Sequence, residues 1–232
     1  MTHRIICFAV ALLCGLTAAW AQEPSKEVPS HANRVYLSIQ GGPAFNLYEN
    51  AFSYWENGRG VELFTLQGAA ALGYDFSDSY GMRLQAAFGN DAGACNVRQT
   101  SGDGFYPYAF RHVNVFADAV VNLSGLRGKV TAFRPKLYAG IGGAYTFDFT
   151  DAGHPWQEVV GKNIVFGFRG GFIAEYTLRS GLGFLADFCG EAYTDMYNGL
   201  MPSEEDQKNY EGYGGFPLDL RGTISLGLVY HF

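Results

Sequence analysis

The sequence lacks the long apolar segment that an α-helical membrane protein needs. After residue 21 there is no run of about 18 apolar residues, so no transmembrane helix is expected. Charge is also scarce, since charged residues make up 16% of the chain, against about 25% in a typical soluble domain. Aromatic residues (16%) and glycines (31) are abundant instead. This composition favours a membrane β-barrel, which needs aromatic girdles and tight turns.

Cysteine and clustered metal ligands are also scarce. Of the four cysteines, only Cys95 and Cys189 lie beyond the N-terminal segment. They could pair in an oxidising compartment, but nothing in the sequence indicates that they meet, so the question stays open. The histidines are scattered along the chain and are never spaced as ligands. We therefore expect no metal and no cofactor.

The N-terminus has the features of a secretory signal. A short basic start at Arg4 precedes an apolar core over 5–16, and Ala19-Trp20-Ala21 is an A-x-A cleavage site. We expect 1–21 to be a signal peptide, 22–33 a flexible periplasmic lead and 34–232 the folded domain. Removing the signal takes away Arg4 and no acidic residue, which leaves 15 basic and 22 acidic residues and a net charge of −7. Such an acidic protein is a poor candidate for binding nucleic acid.

The last fifteen residues alternate between apolar and polar side chains almost without error. This alternation predicts a strand with one apolar and one polar face. Its length fits a tilted membrane strand of roughly 9–11 residues with a small overhang. The apolar face carries Leu218, Leu220, Ile224, Leu226, Leu228, Tyr230 and Phe232, and the polar face carries Asp219, Arg221, Thr223, Ser225 and His231.

Seven more strands with the same alternation precede this one. We expect strands over 34–45, 62–76, 80–90, 105–122, 136–149, 163–178, 182–194 and 218–232. Long connections (46–61, 91–104, 150–162 and 195–217) alternate with shorter ones, as in outer-membrane barrels with long extracellular loops and short periplasmic turns. The predicted fold is all-β: an eight-stranded antiparallel up-and-down transmembrane β-barrel in the bacterial outer membrane, with both termini periplasmic.

A soluble lipocalin-like barrel is the alternative fold. Such a barrel needs an apolar interior and a polar exterior. Here the second face of the strands carries charges of both signs, and an eight-stranded barrel is just wide enough to hold them. We therefore expect a compensated charge network in the lumen, interpreted as a structural plug or, alternatively, as a narrow ion path. Its predicted members are Arg34, Asp75, Arg83, Asp118, Lys136, Asp148, Arg169, Glu175, Asp187, Glu191, Asp219 and Arg221.

With its signal, strand count and terminal Tyr230-His231-Phe232, the chain resembles the small eight-stranded outer-membrane barrels of the OmpA/OmpX type over residues 34–232. The resemblance implies insertion by the barrel-assembly machinery, contact with outer-membrane lipid and lipopolysaccharide, and structural, adhesive or host-interaction roles, sometimes with weak pore activity. The predicted assembly signal comprises Leu226, Leu228, Tyr230 and Phe232.

Enzymatic chemistry finds little support in the sequence. The resemblance to lipid A deacylases would require a His and a Ser two residues apart, whereas this chain has His112-Val113-Asn114. Asp151 and His154 imitate a palmitoyltransferase site only loosely. A lipid A-modifying enzyme is therefore the third hypothesis, after a narrow porin-like channel.

The fourth long loop is the candidate recognition surface. Tyrosine-rich loops on a rigid scaffold bind partners at low entropic cost. We expect a non-enzymatic envelope-structural or surface-interaction role, with an extracellular protein or glycan as the possible partner. The candidate contact residues are Tyr197, Glu204, Glu205, Tyr210, Tyr213 and Phe216.

Overall fold

Eight antiparallel strands make up almost all of the described structure. The computed structural model describes residues 30, 32–47, 58–95, 106–150, 161–194, 196–199 and 218–232. The strands are β1 (Arg34–Leu47), β2 (Phe64–Asp75), β3 (Tyr80–Cys95), β4 (Tyr106–Asn122), β5 (Phe133–Phe147), β6 (Lys162–Thr177), β7 (Leu182–Thr194) and β8 (Leu218–His231). A short 3-10 helix (Gly60–Leu63) and one helical turn, α1 (Leu123–Leu126), complete the set.

The sheet closes on itself. Each strand pairs antiparallel with its neighbour in sequence, and β1 pairs with β8 to give a closed barrel. At the closing seam Leu37 is opposite Tyr230 and Ile39 is opposite Leu228. Closure leaves no strand edge unpaired, which is the condition for a sheet to lie in lipid. The predicted eight-stranded up-and-down barrel is thus confirmed.

The two ends of the barrel differ in the length of their connections. The turn rim comprises the connections 76–79, 123–132 and 178–181 together with Arg34 and Phe232 at the ends of the chain. The loop rim is the opposite end, where the strands lead into 48–63, 96–105, 148–161 and 195–217. Gly181 shows why the turns need particular residues: its φ is +86°, and a Cβ there would lie 2.5 Å from the carbonyl oxygen of His231.

Side chains alternate between an apolar exterior and a polar lumen. Large apolar residues are exposed on the outside around the barrel, with Leu226 at 66% and Ile164 at 80% accessibility. Arginine, lysine, aspartate and glutamate side chains are buried inside. This is the reverse of a soluble barrel, so the lipocalin-like alternative is wrong. Within the described residues, no helix is long and apolar enough to cross a membrane.

Two strands extend at least three residues beyond their predicted bounds. β3 continues to Cys95 rather than ending at residue 90, and β5 begins at Phe133 rather than at 136. At the end of β3 the residues are small or polar, so the apolar alternation disappears while the pairing with β4 continues as far as Tyr106. Asp91 therefore lies on a strand rather than in a loop.

Aromatic side chains on the exterior form contacts near both rims. At the turn rim, the rings of Tyr230 and Phe232 are 5.0 Å apart and edge-on. Towards the loop rim, Tyr145 and Phe147 stack at 5.3 Å. Aromatic rings at these two levels, with the amphipathic tyrosines among them, are typical of the girdles that place a barrel at the two membrane–water interfaces.

An arginine placed on the exterior tests this orientation. Leu226→Arg puts a charge near the middle of the lipid-facing surface and is expected to lower the free energy of unfolding by about 2–4 kcal/mol. Leu47→Arg is the matched control, because Leu47 is also exposed but lies at the loop rim, where the cost is about 0–1 kcal/mol. Reversible denaturant unfolding in phospholipid vesicles measures both. Equal losses in the two variants would contradict a lipid-facing exterior.

Candidate functional site

The charged side chains of the lumen meet in three clusters stacked along the barrel axis. The turn-side cluster comprises Asp75, Arg134, Lys136, Glu175 and His231. The central cluster comprises Gln40, Arg83, Asp118, Tyr138, Arg169 and Asp187. The loop-side cluster comprises Gln67, Asp91, His112, Glu191, Tyr193, Tyr197 and Arg221.

Glu175 organises the turn-side cluster. Its carboxylate accepts from Lys136 Nζ at 2.6 Å and from Arg134 Nη1 at 3.3 Å, and it lies 2.9 Å from His231 Nε2. Arg134 also donates to Asp75 at 3.0 Å. Two cations and two carboxylates therefore balance here, with the His231 ring beside them.

Two carboxylates share two guanidinium groups in the central cluster. Asp118 accepts from Arg83 Nε at 2.7 Å and from Arg169 Nε and Nη2 at 2.7 and 2.6 Å. Asp187 accepts from Arg83 Nη1 at 3.1 Å and from the Tyr138 hydroxyl at 2.7 Å. The Arg83 guanidinium also lies 4.2 Å above the Tyr138 ring. Arg83 thus bridges the two carboxylates across the lumen.

Arg221 is the cation of the loop-side cluster. Its guanidinium donates to Asp91 at 3.2 Å and to Gln67 and Glu191 at 2.8 Å each. His112 Nδ1 lies 3.0 Å from the other oxygen of Asp91. One arginine and one histidine therefore face two carboxylates, all of them buried.

A short tongue, residues 196–199, covers this cluster from the loop rim. The Tyr197 hydroxyl donates to Asp91 at 2.6 Å, and its ring stacks on Tyr193 at 4.2 Å. Asn198 accepts from the Tyr108 hydroxyl at 2.7 Å through its carbonyl oxygen and donates to Asp219 through its backbone and side-chain nitrogens. The tongue thus inserts the Tyr197 ring into the barrel, and the stacked rings of Tyr197 and Tyr193 lie on the loop-rim side of the three charged clusters.

The lumen contains ten of the twelve charged residues predicted for it. The ten are Asp75, Arg83, Asp118, Lys136, Arg169, Glu175, Asp187, Glu191, Asp219 and Arg221, all buried. For Asp148 the prediction was wrong: β5 ends at Phe147, the carboxylate is 59% exposed, and it pairs at 3.1 Å with Arg111 on the outside. Arg34 is a second correction, because it lies half-exposed at the turn rim and has no ion pair within the described structure.

The sequence interpretation missed one acidic and one basic member of the network. Asp91 and Arg134 were assigned to connections, but both are buried and ion-paired. Extending the two-residue periodicity of each strand finds both, since Asp91 follows inward Gly89 and Arg134 precedes inward Lys136.

The Cys189 side chain carries a free thiol and is only partly buried.

The predicted recognition loop is described only in part. Tyr197 was expected on its surface, which is wrong, since the side chain is fully buried in the tongue. The remaining predicted contact residues, Glu204, Glu205, Tyr210, Tyr213 and Phe216, lie outside the described residues. The predicted assembly residues lie on the exterior of the closing strand, and all are exposed: Leu226, Leu228, Tyr230 and Phe232.

One part of the loop-side cluster resembles hydrolytic machinery. His112 has Asp91 on one side and Thr146 as its register partner on β5. However, His112 Nε2 and Thr146 Oγ1 do not hydrogen-bond to each other, and both side chains are fully buried. A nucleophile and base need mutual contact and access to substrate, so this arrangement does not support catalysis. No group of three or more metal-ligating side chains occurs within the described ranges.

A closed antiparallel barrel with an apolar exterior and an ion-paired interior is a transmembrane β-barrel. No protein-family model and no curated protein matches the chain. Among solved structures it is similar to neisserial surface protein A, with a TM-score of 0.51 and 11% identity over 85% of this chain and 97% of that one. It is also similar to the outer membrane protein OprG of Pseudomonas aeruginosa, with a TM-score of 0.50 and 14% identity over 89% and 99%. At this identity the similarity shows a shared fold.

The central cluster predicts a large difference between two aspartates. Asp118→Asn leaves Arg169 buried without its carboxylate and Arg83 with Asp187 alone, and it is expected to destabilise the barrel by about 3–5 kcal/mol. Asp148→Asn removes an exposed partner of Arg111 and is expected to cost less than about 1 kcal/mol. Denaturant unfolding of both variants measures the difference. Losses of similar size would mean that the lumen pairs do not support the fold.

Proposed function

We propose that this protein is a non-enzymatic integral protein of the bacterial outer membrane, with a structural role in the envelope or an interaction role at the cell surface. The apolar exterior and its aromatic girdles support membrane insertion. The barrel fold supports the outer membrane as its location. On this proposal the loops of the loop rim are extracellular and both termini are periplasmic.

The observation that carries the proposal is the filling of the lumen. Three clusters of paired charges occupy successive levels, and the Tyr197 ring covers the uppermost cluster. A lumen filled in this way leaves the exterior and the loops as the surfaces that act on other molecules. This favours a scaffold for surface loops over a channel.

Biogenesis and partners follow from the same arrangement. We propose that Leu226, Leu228, Tyr230 and Phe232, which form an exposed apolar row on β8, serve as the signal for the barrel-assembly machinery. The exterior contacts outer-membrane lipid and lipopolysaccharide. An extracellular protein or glycan is the proposed partner of the fourth loop, whose sequence combines tyrosines with acidic residues.

A narrow channel is the second candidate, and one observation favours it. Several buried polar atoms of the lumen have no hydrogen-bond partner within the described structure, among them Gln40 Oε1, Thr146 Oγ1 and Ser225 Oγ. Buried polar groups of this kind are normally satisfied by ordered water. Water at these positions could connect the clusters.

Current recorded across a planar lipid bilayer decides between the two. The purified wild-type protein is expected to insert, shown by heat-modifiable migration on gels, and to give no discrete openings. Arg221→Ala removes the cation between Asp91 and Glu191, whereas Arg111→Ala, on the exterior, is the matched control.

Steady wild-type openings whose ion selectivity changes in Arg221→Ala but not in Arg111→Ala would overturn the proposal in favour of a channel. A protein that stays soluble without detergent would contradict the membrane location itself.

A further inference from the structure

The turn rim carries exposed cations that form no ion pair with any residue that the structure describes. Arg127, Lys129 and Arg179 are exposed and Arg34 is half-exposed. None of the four forms an ion pair or a side-chain hydrogen bond with another described residue. Asp78 is the one acidic side chain described on the connections of this rim, and it accepts hydrogen bonds from the Ser30 hydroxyl at 2.9 Å. The described residues of this rim therefore carry an excess of positive charge.

Two of the three cations described at the loop rim are paired with carboxylates. Arg59 donates to Glu62 at 2.6 and 2.7 Å, which holds the pKa of that carboxyl below its usual value. Arg111 donates to Asp148 at 3.1 Å. Lys162 is exposed and forms no ion pair with another described residue. The described arginines thus have carboxylate partners at the loop rim and lack them at the turn rim.

The loop-rim segments 48–57, 96–105, 151–160, 195 and 200–217 contain ten acidic and two basic residues. The turn-rim connections 76–79, 123–132 and 178–181 contain one acidic and three basic residues, and the segment 22–34 that leads into β1 contains two of each. By sequence, the loop rim is therefore acidic and the turn rim is basic. An anionic surface is therefore disfavoured at the loop rim and favoured at the turn rim.

The turn-rim cations also lie at the level where lipid headgroups are expected. Arg127 directly follows exposed Leu126, and Arg179 directly follows exposed Leu178. Around them are outward rings of the girdle, namely Phe76, Tyr80, Phe184, Tyr230 and Phe232. Rings of this kind mark the membrane–water interface, and long basic side chains extend from it towards the headgroups. Guanidinium groups match the geometry of a phosphate diester.

From these observations we propose that the turn rim binds the headgroups of anionic phospholipids through Arg34, Arg127, Lys129 and Arg179. The ligand is the phosphate of a membrane lipid in the leaflet that meets the turn rim, held at the interface by its acyl chains. Lipid binding at the turn rim fixes the depth and tilt of the barrel in the membrane. Because the loop rim is acidic, anionic lipids bind at the turn rim and not at the loop rim.

Lipid retention measured by native mass spectrometry tests the proposal. The detergent-purified protein is titrated with phosphatidylglycerol and, separately, with phosphatidylcholine bearing the same acyl chains. Wild type is expected to retain phosphatidylglycerol preferentially, with each cation contributing up to about fivefold at low salt. Raising the salt from 50 to 500 mM should reduce the preference, because screening shortens the range of the attraction.

Two sets of substitutions locate the binding. The first set replaces all four turn-rim cations and should abolish most of the preference for phosphatidylglycerol: Arg34→Gln, Arg127→Gln, Lys129→Gln and Arg179→Gln. The single substitution Arg179→Gln should reduce this preference. The matched control combines Arg59→Gln, Arg111→Gln and Lys162→Gln at the loop rim, which should leave the preference intact. Heat-modifiable migration verifies that each variant is folded.

Three results would overturn the proposal. Equal retention of the two lipids by wild type would show that the headgroup charge is not recognised. An equal loss in the loop-rim control would show that position does not matter. Displacement of phosphatidylglycerol by millimolar inorganic phosphate would indicate a small-anion site rather than a membrane-lipid surface.

Discussion

Closure of the sheet is the constraint on which the rest of the structure depends. Backbone groups at an open strand edge have no partner in lipid, so β1 has to meet β8, as it does at Leu37 and Tyr230. Closing only eight strands leaves a lumen that side chains fill. Charged side chains that point inward then have to pair with one another inside that lumen. The ion-pair clusters are the consequence, and they tie together strands far apart in sequence, as Arg221 on β8 does with Asp91 on β3.

Much of this fold is readable in the sequence because lipid enforces the alternation of side chains. All predicted outward and inward residues of 218–232 lie on the expected faces of β8. The alternation fails where a strand passes beyond the lipid, since outward positions there no longer have to be apolar. The outward positions 90 and 92 hold Asn90 and Ala92, neither of them a large apolar residue, so the alternation does not reveal inward Asp91 between them.

The candidate site was less predictable than the fold. The sequence indicates which charges face inward, but their pairing depends on the register between strands. Asp118 of β4 and Arg169 of β6 lie in one register row on either side of Gly140 of β5, which has no side chain to separate them. The return of a loop into the barrel has no periodic signal either. Tyr197 looked like a recognition residue because it lies among loop tyrosines, yet its hydroxyl binds Asp91 in the lumen. The filling of the lumen by ion pairs and by a loop residue is the observation on which the proposed surface role rests.

A double-mutant cycle on Arg83 and Asp187 tests the central claim most directly. Arg83 lies on β3 and Asp187 on β7, and Arg83 Nη1 donates across the lumen to the Asp187 carboxylate at 3.1 Å. Denaturant unfolding in vesicles measures the loss of unfolding free energy in Arg83→Met, in Asp187→Asn and in the double variant. The account predicts that the sum of the two single-variant losses is larger than the loss in the double variant. The difference should be at least about 1 kcal/mol. Strictly additive losses would show that the two charges do not stabilise each other, and would contradict a barrel held together by its interior ion pairs.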